Sequence, residues 1–316
     1  MDFEISANEA GSTVGVFLKS RLSLSSKMMK YLKYRSDGIL VNGERVTVRR
    51  VLREGDSLSI ATRDSTDQPL LEPVDLHLPI LYEDADLVVP NKPANMPTHP
   101  SHDHYRDTVA NALAFRYRER GVPFVFRPVN RLDRDTSGLL LIARNKLAAG
   151  RMTEAMQAGK IEKIYLAVLR GDDLPLSGRI EKPLHRTEKS IIVREVCSPN
   201  VPDAEAAVTE FRVLAKSNGC ALVAARPLTG RTHQLRVHFA FLGCPILSDD
   251  LYGTADDRIA RQALHAYKLT FPHPTVGETL TLTAPLPADL AALVDSLFPG
   301  FEIPNDLFEK QKGARI

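Results

Sequence analysis

The sequence predicts an α+β protein in two parts: a small α/β module at the N-terminus, and a larger domain on a mainly antiparallel or mixed central β-sheet. Three observations carry this expectation. From residue 80 onward, segments of strand character follow one another with few helical patterns between them, which argues against alternating βαβ units. Residues 11–53 hold ten Lys or Arg against two acids, Asp37 and Glu44, a local charge of +8 in a chain whose formal net charge is +2. Residues 62–74, TRDSTDQPLLEPV, are polar, proline-bearing and without periodicity, as a linker should be. The chain therefore divides into a module over 1–62, a linker over 63–78 and a large domain over 79–316.

The 316 residues are 43% hydrophobic and 25% charged, ordinary for a soluble globular protein. No apolar run approaches the length of a membrane span, and the first residues lack the basic and hydrophobic pattern of a secretory signal. Three cysteines (Cys197, Cys220 and Cys244) without CxxC spacing fit a reducing compartment. A cytoplasmic protein is expected. Its basic block is the electrostatic footprint of a nucleic-acid binder, although a solvated basic face is the commoner meaning of a charge run.

The elements follow in order. Val14, Phe17, Leu18 and Arg21 keep helical spacing behind a cap at Ser12 or Thr13. Ser25 or Ser26 can cap a second short helix carrying Met28, Tyr31 and Leu32. SDGILVNGERVTV sets two apolar runs about Asn42-Gly43, the strongest short hairpin signal, and SLSIA alternates as a further strand. ILYED and DLVVPNKP read as paired strands about an acidic turn. A loop of prolines and histidines leads to a helix from about Asp107 to Arg120, stopped by Gly121. LLLIA, residues 139–143, is a buried strand, and a helix near 146–158 ends at Gly159. IEKIYLAVLRG alternates, with Lys163 and Tyr165 on one face and Ile164, Leu166 and Val168 on the other. Further strands are expected at 191–197, 207–215, 220–226, 264–271 and 278–284. Between them, Leu235, Phe239 and Leu242 give a helix an apolar face, with Thr232 as its cap.

Four features could carry chemistry. Arg131, Asp133, Arg134 and Asp135 stand just before the buried LLLIA run, where unpaired charge is costly. A carboxylate between arginines is held as the anion, and one anchored by the adjoining core suits a nucleophile or base. The same residues also read as an ion-pair network closing a strand end, and Asp135 competes with Asp133 for any role. In PLTGRTHQLRVH, Arg231 sits on a turn at a helix N-terminus, where a cation can reach into a cleft; Arg231, His233 and Arg236 read equally as polar helix residues. His233 and His238 are five apart, off the spacing of a HExxH zinc pair. His99, His102 and His104 lack a cysteine partner or spaced acids, so a solvated or RNA-facing loop is the better reading than a metal site. Tyr165 in KIY serves equally as an ordinary strand aromatic. No Walker loop and no GxGxxG between a strand and a helix is found, so the chemistry falls to side chains alone, without a cofactor or metal.

Two resemblances draw these features together. SKMMKYLKYRSDGILVNGERV, with VLREGDSLSI, resembles an RNA-binding domain of the S-four type, which presents basic helix residues to structured RNA; the resemblance makes Lys27, Lys30 and Lys33 RNA contacts. DLVVPNKPANMPTHPS, NRLDRDTSGLLLIAR, KIYLAVLRG and GRTHQLRVHFAFLGCPILSDDLYG, in this order, resemble the RluA-type pseudouridine synthases. That resemblance spans about residues 80 to 285. It implies the synthase type of central sheet and an isomerase that converts specific uridines of RNA to pseudouridine. It also implies ribosomal RNA of the large subunit ahead of transfer RNA, and a monomer with neither cofactor, metal nor membrane partner. It places the nucleophilic aspartate on Asp133, the arginine paired with it on Arg231, the active-site tyrosine on Tyr165 and an RNA-inserting arginine on Arg131. Asp135 is left to support the turn. The chain departs from the family at Asn130, where histidine is usual, and at Asn95, where glycine is common. A non-catalytic ribosome-associated RNA-binding protein would have no use for the intact Asp133, Tyr165 and Arg231. A glycosidase-like hydrolase would need two essential carboxylates in one cleft.

Overall fold

The computed structural model describes the chain except Met1, Ser23, residues 25–28, 30, 31, 34–36, 62–70, His102, Lys189, Ile191 and 309–316. Most of the expected second N-terminal helix, including Lys27 and Lys30, therefore lies outside the described residues, as does half of the expected linker.

The N-terminal part is a four-stranded antiparallel sheet of β1 (Asp2–Glu4), β2 (Ile39–Val41), β3 (Glu44–Arg45) and β4 (Ser57–Ile60), in the order β1-β4-β2-β3. Helix α1 (Val14–Ser20) begins at Thr13, whose hydroxyl accepts from the Val16 N–H. The β2–β3 hairpin turns on Asn42 and Gly43, both at positive φ (54° and 81°), the pair of left-handed residues that a tight hairpin needs. Val14, Phe17 and Leu18 pack on Ile39, Val41, Leu58 and Ile60 as a separate small core.

Leu147 of the large domain enters that same core. Four residues on, Arg151 donates both to Leu22 O of the N-terminal part and to Pro274 O of the large domain. The two parts are thus docked across a helix, not only tethered by a linker.

The large domain is built on one ten-stranded sheet. Its strands are β5 (Ile80–Glu83), β6 (Leu87–Lys92), β7 (Ser137–Leu139), β8 (Ile142–Ala143), β9 (Glu162–Arg170), β10 (Ser177–Glu181), β13 (Val208–Ser217), β14 (Cys220–Pro227), β15 (Leu264–Pro272) and β16 (Thr279–Thr283). A separate ribbon pairs β11 (Leu184–Arg186) with β12 (Arg194–Val196). The path β10-β13-β14-β9-β15-β7-β6-β5 is antiparallel except where β7 runs parallel to β15. The expected antiparallel-to-mixed sheet is what is found. Among the described residues four helices flank it: α2 (Val109–Glu119), α3 (Lys146–Gln157), α4 (Gln234–Phe241) and α5 (Ala288–Leu297). Helix α2 starts in a reciprocal capping box of Thr108 and Asn111, and the helix at 146 is capped by Asn145 accepting from Ala148 N.

Strand β9 is central and covered on both sides, which explains why its whole interior is buried. Tyr165, Ala167 and Leu169 face the main core with α2, α4 and α5, whereas Ile164 and Leu166 pack under Leu307 of the C-terminal segment. Burying each large aliphatic side chain of this kind is worth about 1.5–3 kcal/mol.

LLLIA is two short strands, not one. The run breaks at Leu140 and Leu141 because β7 must also pair with β15, while β8 pairs with β6. Gly138 makes the first pairing possible: its φ is 111°, and a Cβ there would lie 2.3 Å from Ala266 O.

Candidate active site

The turn ahead of β7 carries Asp133, and the backbone on either side of it is pinned. Thr98 Oγ1 donates to Leu132 O (2.9 Å) and accepts from Leu132 N (3.2 Å). On the other side Lys92, fully buried, donates from Nζ to Arg134 O (2.8 Å), Met96 O (2.7 Å) and Pro93 O (2.8 Å). Burial pulls the Lys92 pKa down to about 7, against the fields of Asp135 and Asp133. Three carbonyls matched to three N–H donors nevertheless favour the ammonium form. The loop it holds contains Asn95 at φ 57°, a conformation in which asparagine is the usual substitute for glycine. This accounts for the departure noted at that position. Asn130 likewise has a local task, since its Oδ1 accepts from Leu141 N (2.8 Å) and ties the approach to Asp133 down to the broken LLLIA run.

The charges expected around Asp133 are sorted by this geometry. Arg134 turns outward and pairs with Asp135 (2.9 Å), and Arg131 is exposed. Asp133 is instead approached from helix α4. Arg236 Nη1 lies 3.8 Å from Asp133 Oδ2, and His233 Nε2 lies 4.0 Å from the same oxygen. Arg236 is itself buried and forked onto Asp249, with Nε to Oδ2 and Nη2 to Oδ1 both at 2.7 Å, and Nη2 also reaches Asp250 Oδ1 at 2.7 Å. Its guanidinium lies 5.3 Å from the Tyr252 ring centroid. Burial opposes the charge on Arg236, but Asp249, then Asp133 and Asp250, more than offset it and raise its pKa.

The pairing expected of Arg231 is therefore corrected. Arg231 lies before the helix and bonds Glu205 Oε1 (3.0 Å) and Ala206 O (3.0 Å), not Asp133. Its backbone N–H is held by Gln234 Oε1 (3.0 Å), which fixes the turn. Arg236, more than one helical turn further along, is on the inward face. The helix also begins differently from expectation: His233, at φ 56°, is its N-cap without a side-chain cap bond, and Thr232 does not cap it.

Tyr165 is buried in the core beside Asp133. Burial raises its phenol pKa, and the charge of Asp133 acts in the same direction. Lys163, two residues earlier on β9, is also nearly buried, and burial lowers its pKa; its Nζ would be 3.9 Å from a Cβ on Gly230. Of the histidines in HPSHDH, His102 lies outside the described residues. His104 pairs with Asp107 (2.6 Å), and His99 has its pKa lowered by burial and by nearby Arg131.

A pinned, part-buried carboxylate, braced by a buried arginine and flanked by a buried tyrosine, is placed to act as a nucleophile or a base. Comparison with known proteins identifies the setting. Residues 86–241 match the family model described as RNA pseudouridylate synthase. The chain is 38% identical over 275 residues to the uncharacterized RNA pseudouridine synthase YjbO of Bacillus subtilis, covering 86% of this chain and 95% of that protein.

The chain belongs to the RNA pseudouridine synthases of the RluA type.

It is also 35% identical to the ribosomal large subunit pseudouridine synthase D of Xanthomonas campestris over 286 residues, covering 86% of this chain and 84% of that one. Among solved structures, human RNA pseudouridylate synthase domain containing 1 aligns at a TM-score of 0.56 and 32% identity, over 68% of this chain and 87% of its own. Human RNA pseudouridylate synthase domain containing 4 aligns at a TM-score of 0.58 and 26% identity, over 72% of this chain and 95% of its own. This pseudouridine synthase is thus an isomerase acting on RNA, with the α+β fold of its relatives. No helix among the described residues is long and apolar enough to cross a membrane.

The residue pattern alone does not mark Arg236, Asp249, Lys92 and His233 as neighbours of the Asp133 turn. A signal for the first was present, since GRTHQLR holds two arginines and SDD follows; choosing between them needed the direction of the helix.

Proposed function

We propose that this synthase converts specific uridines of large-subunit ribosomal RNA to pseudouridine, with Asp133 as the reacting carboxylate. The observation that carries this reading is the Asp133 turn, clamped through Thr98 and Lys92 and faced by the buried Arg236. The target uridine is first taken out of its stack, at a cost of a few kcal/mol. Asp133 then acts at the ribose, by attack at the anomeric carbon or by removal of the 2′ proton, and the bond from the anomeric carbon to uracil N1 breaks. The freed uracil turns and bonds through its carbon five to the anomeric carbon, while the carboxylate leaves that carbon or the 2′ carbon regains its proton. Both routes need an ionised carboxylate, and Arg236 supplies the opposing charge. Tyr165 packs against the uracil and assists loss of the proton from its carbon five.

The ribosomal substrate is favoured by the likeness to the large-subunit synthase of Xanthomonas campestris. Residues 1–62 act as an S-four-type RNA-binding module whose +8 segment, through Lys27, Lys30 and Lys33, contacts phosphates. Exposed Arg131 enters the RNA beside the target. The cysteines are free, as suits a cytoplasmic protein.

The test is tritium release from RNA labelled at carbon five of uracil, with pseudouridine mapping of ribosomal RNA after gene deletion. Asp133→Asn should abolish release while folding and RNA binding persist, and Asp135→Asn should keep measurable turnover. Reversal of the two effects would assign the nucleophile to Asp135.

A further inference from the structure

His233 stands at the start of α4 in the left-handed conformation, which disfavours a non-glycine residue and persists where the surroundings hold it. Its ring is held by Tyr252. The phenol oxygen lies 2.8 Å from His233 Nδ1, and the two rings meet edge to face at 5.7 Å. Tyr252 is anchored in turn, since its N–H donates to buried Asp249 Oδ1 (3.0 Å).

The hydrogen bonds determine where the imidazole proton sits. Tyr252 Oη already accepts from the backbone N–H of Arg194 (2.9 Å), a group that can only donate. The phenol proton is then free to go to His233 Nδ1, which leaves the ring proton on Nε2. That nitrogen is the one facing Asp133 Oδ2 at 4.0 Å. The opposite tautomer would set a nitrogen lone pair against a carboxylate oxygen and leave the phenol proton without this acceptor. The charged and titratable groups facing the ring are Asp133, Arg236, Asp249, Arg194 and Tyr252. Burial lowers the His233 pKa, Arg236 and Arg194 act the same way, and Asp133 and Asp249 oppose them, so the ring is a neutral donor.

We infer that His233, locked by Tyr252 with its proton on Nε2, is a positioning residue for Asp133: together with Arg236 it engages Oδ2 and leaves Oδ1 to react. The nearest approach of both groups to the carboxylate is to Oδ2. Distances of this size are too long for a hydrogen bond, but such contacts tighten once substrate fills the site. This inference rests on the reading of Asp133 as the reacting carboxylate.

Two measurements on the full chain test it. NMR of the protein with isotope-labelled histidine, assigned by loss of the His233 signal in His233→Gln, should give the Nε2–H tautomer, and Tyr252→Phe should convert it to a mixture. In steady-state tritium release, His233→Ala should lower kcat by about 10- to 100-fold, the effect of losing a hydrogen bond to a charged group, with KM for RNA nearly unchanged. His233→Gln, whose side-chain amide can donate in the same direction, should recover most of the rate. Tyr252→Phe should slow the wild type yet add nothing in the His233→Gln background, whereas a purely structural tyrosine would act equally in both. An Nδ1–H tautomer in the wild-type protein, or His233→Gln as slow as His233→Ala, would overturn the inference. Asp133→Asn is run alongside: if it stays active, the underlying reading fails, and if it is dead while His233→Ala is fast, only the role of His233 fails.

Discussion

Exchanging the two arginines of GRTHQLR one at a time separates the cleft cation from the surface one. At 3.8 Å, opposite unit charges on Arg236 and Asp133 attract by ~4 kcal/mol at an effective dielectric constant of about 20. Were that stabilisation lost from the step in which the carboxylate reacts, the rate would fall about a thousandfold. Arg236→Ala would carry a second cost, because it strands fully buried Asp249 without its partner, at about 3–5 kcal/mol of stability. Arg236→Lys keeps a charge but not the fork, and so should fold while remaining slow. Arg231 presents the opposite case. It is part-exposed and bonded to exposed Glu205, a pair worth at most about 1 kcal/mol, so Arg231→Ala should fold normally and turn over within a few-fold of wild type at saturating RNA. The assay is tritium release at saturating RNA, corrected for the folded fraction from urea melts. A dead Arg231→Ala beside a fast, folded Arg236→Lys would refute the assignment.

Other outcomes follow from the same structure. Gly138→Ala should destabilise strongly, by more than about 3 kcal/mol in a urea melt, because its Cβ would drive β7 off the backbone of β15. His265 is buried against Ser137 and its pKa is pushed down to about 4, chiefly by burial. The unfolded chain takes up that proton near pH 6.5 and the folded chain only near 4, so its contribution is present above pH 6.5 and lost as the pH falls to 4. The loss amounts to about 3 kcal/mol. His265→Gln should flatten this acid limb in urea melts across pH 4–7, and an unchanged slope would exclude His265 as its source. Deleting residues 1–62 should raise KM for RNA and make the salt dependence of binding shallower, with a comparatively small loss of kcat. It also uncovers Leu147 and removes the Leu22 acceptor of Arg151, so a modest loss of stability should accompany it.

Much of the fold was legible because local chemistry decides it. Asn42-Gly43 dictates a hairpin, Gly121 and Gly159 stop helices, and alternating β-branched and aliphatic residues mark strands wherever one or both faces meet a core. The motif order was equally legible, and with it the family and Asp133 as the candidate nucleophile. The break in LLLIA was not, because it arises from a parallel neighbour more than a hundred residues away that only Gly138 allows so close. Nor was the choice between Arg231 and Arg236. A guanidinium's partner depends on which way a helix faces, and that direction is set by Gln234 bracing the turn and by Asp249 waiting, buried, on the far side. Residue types and their spacing follow from the chain alone. Which charges meet is decided by tertiary packing, because an ion pair depends on a few ångströms that no local pattern encodes.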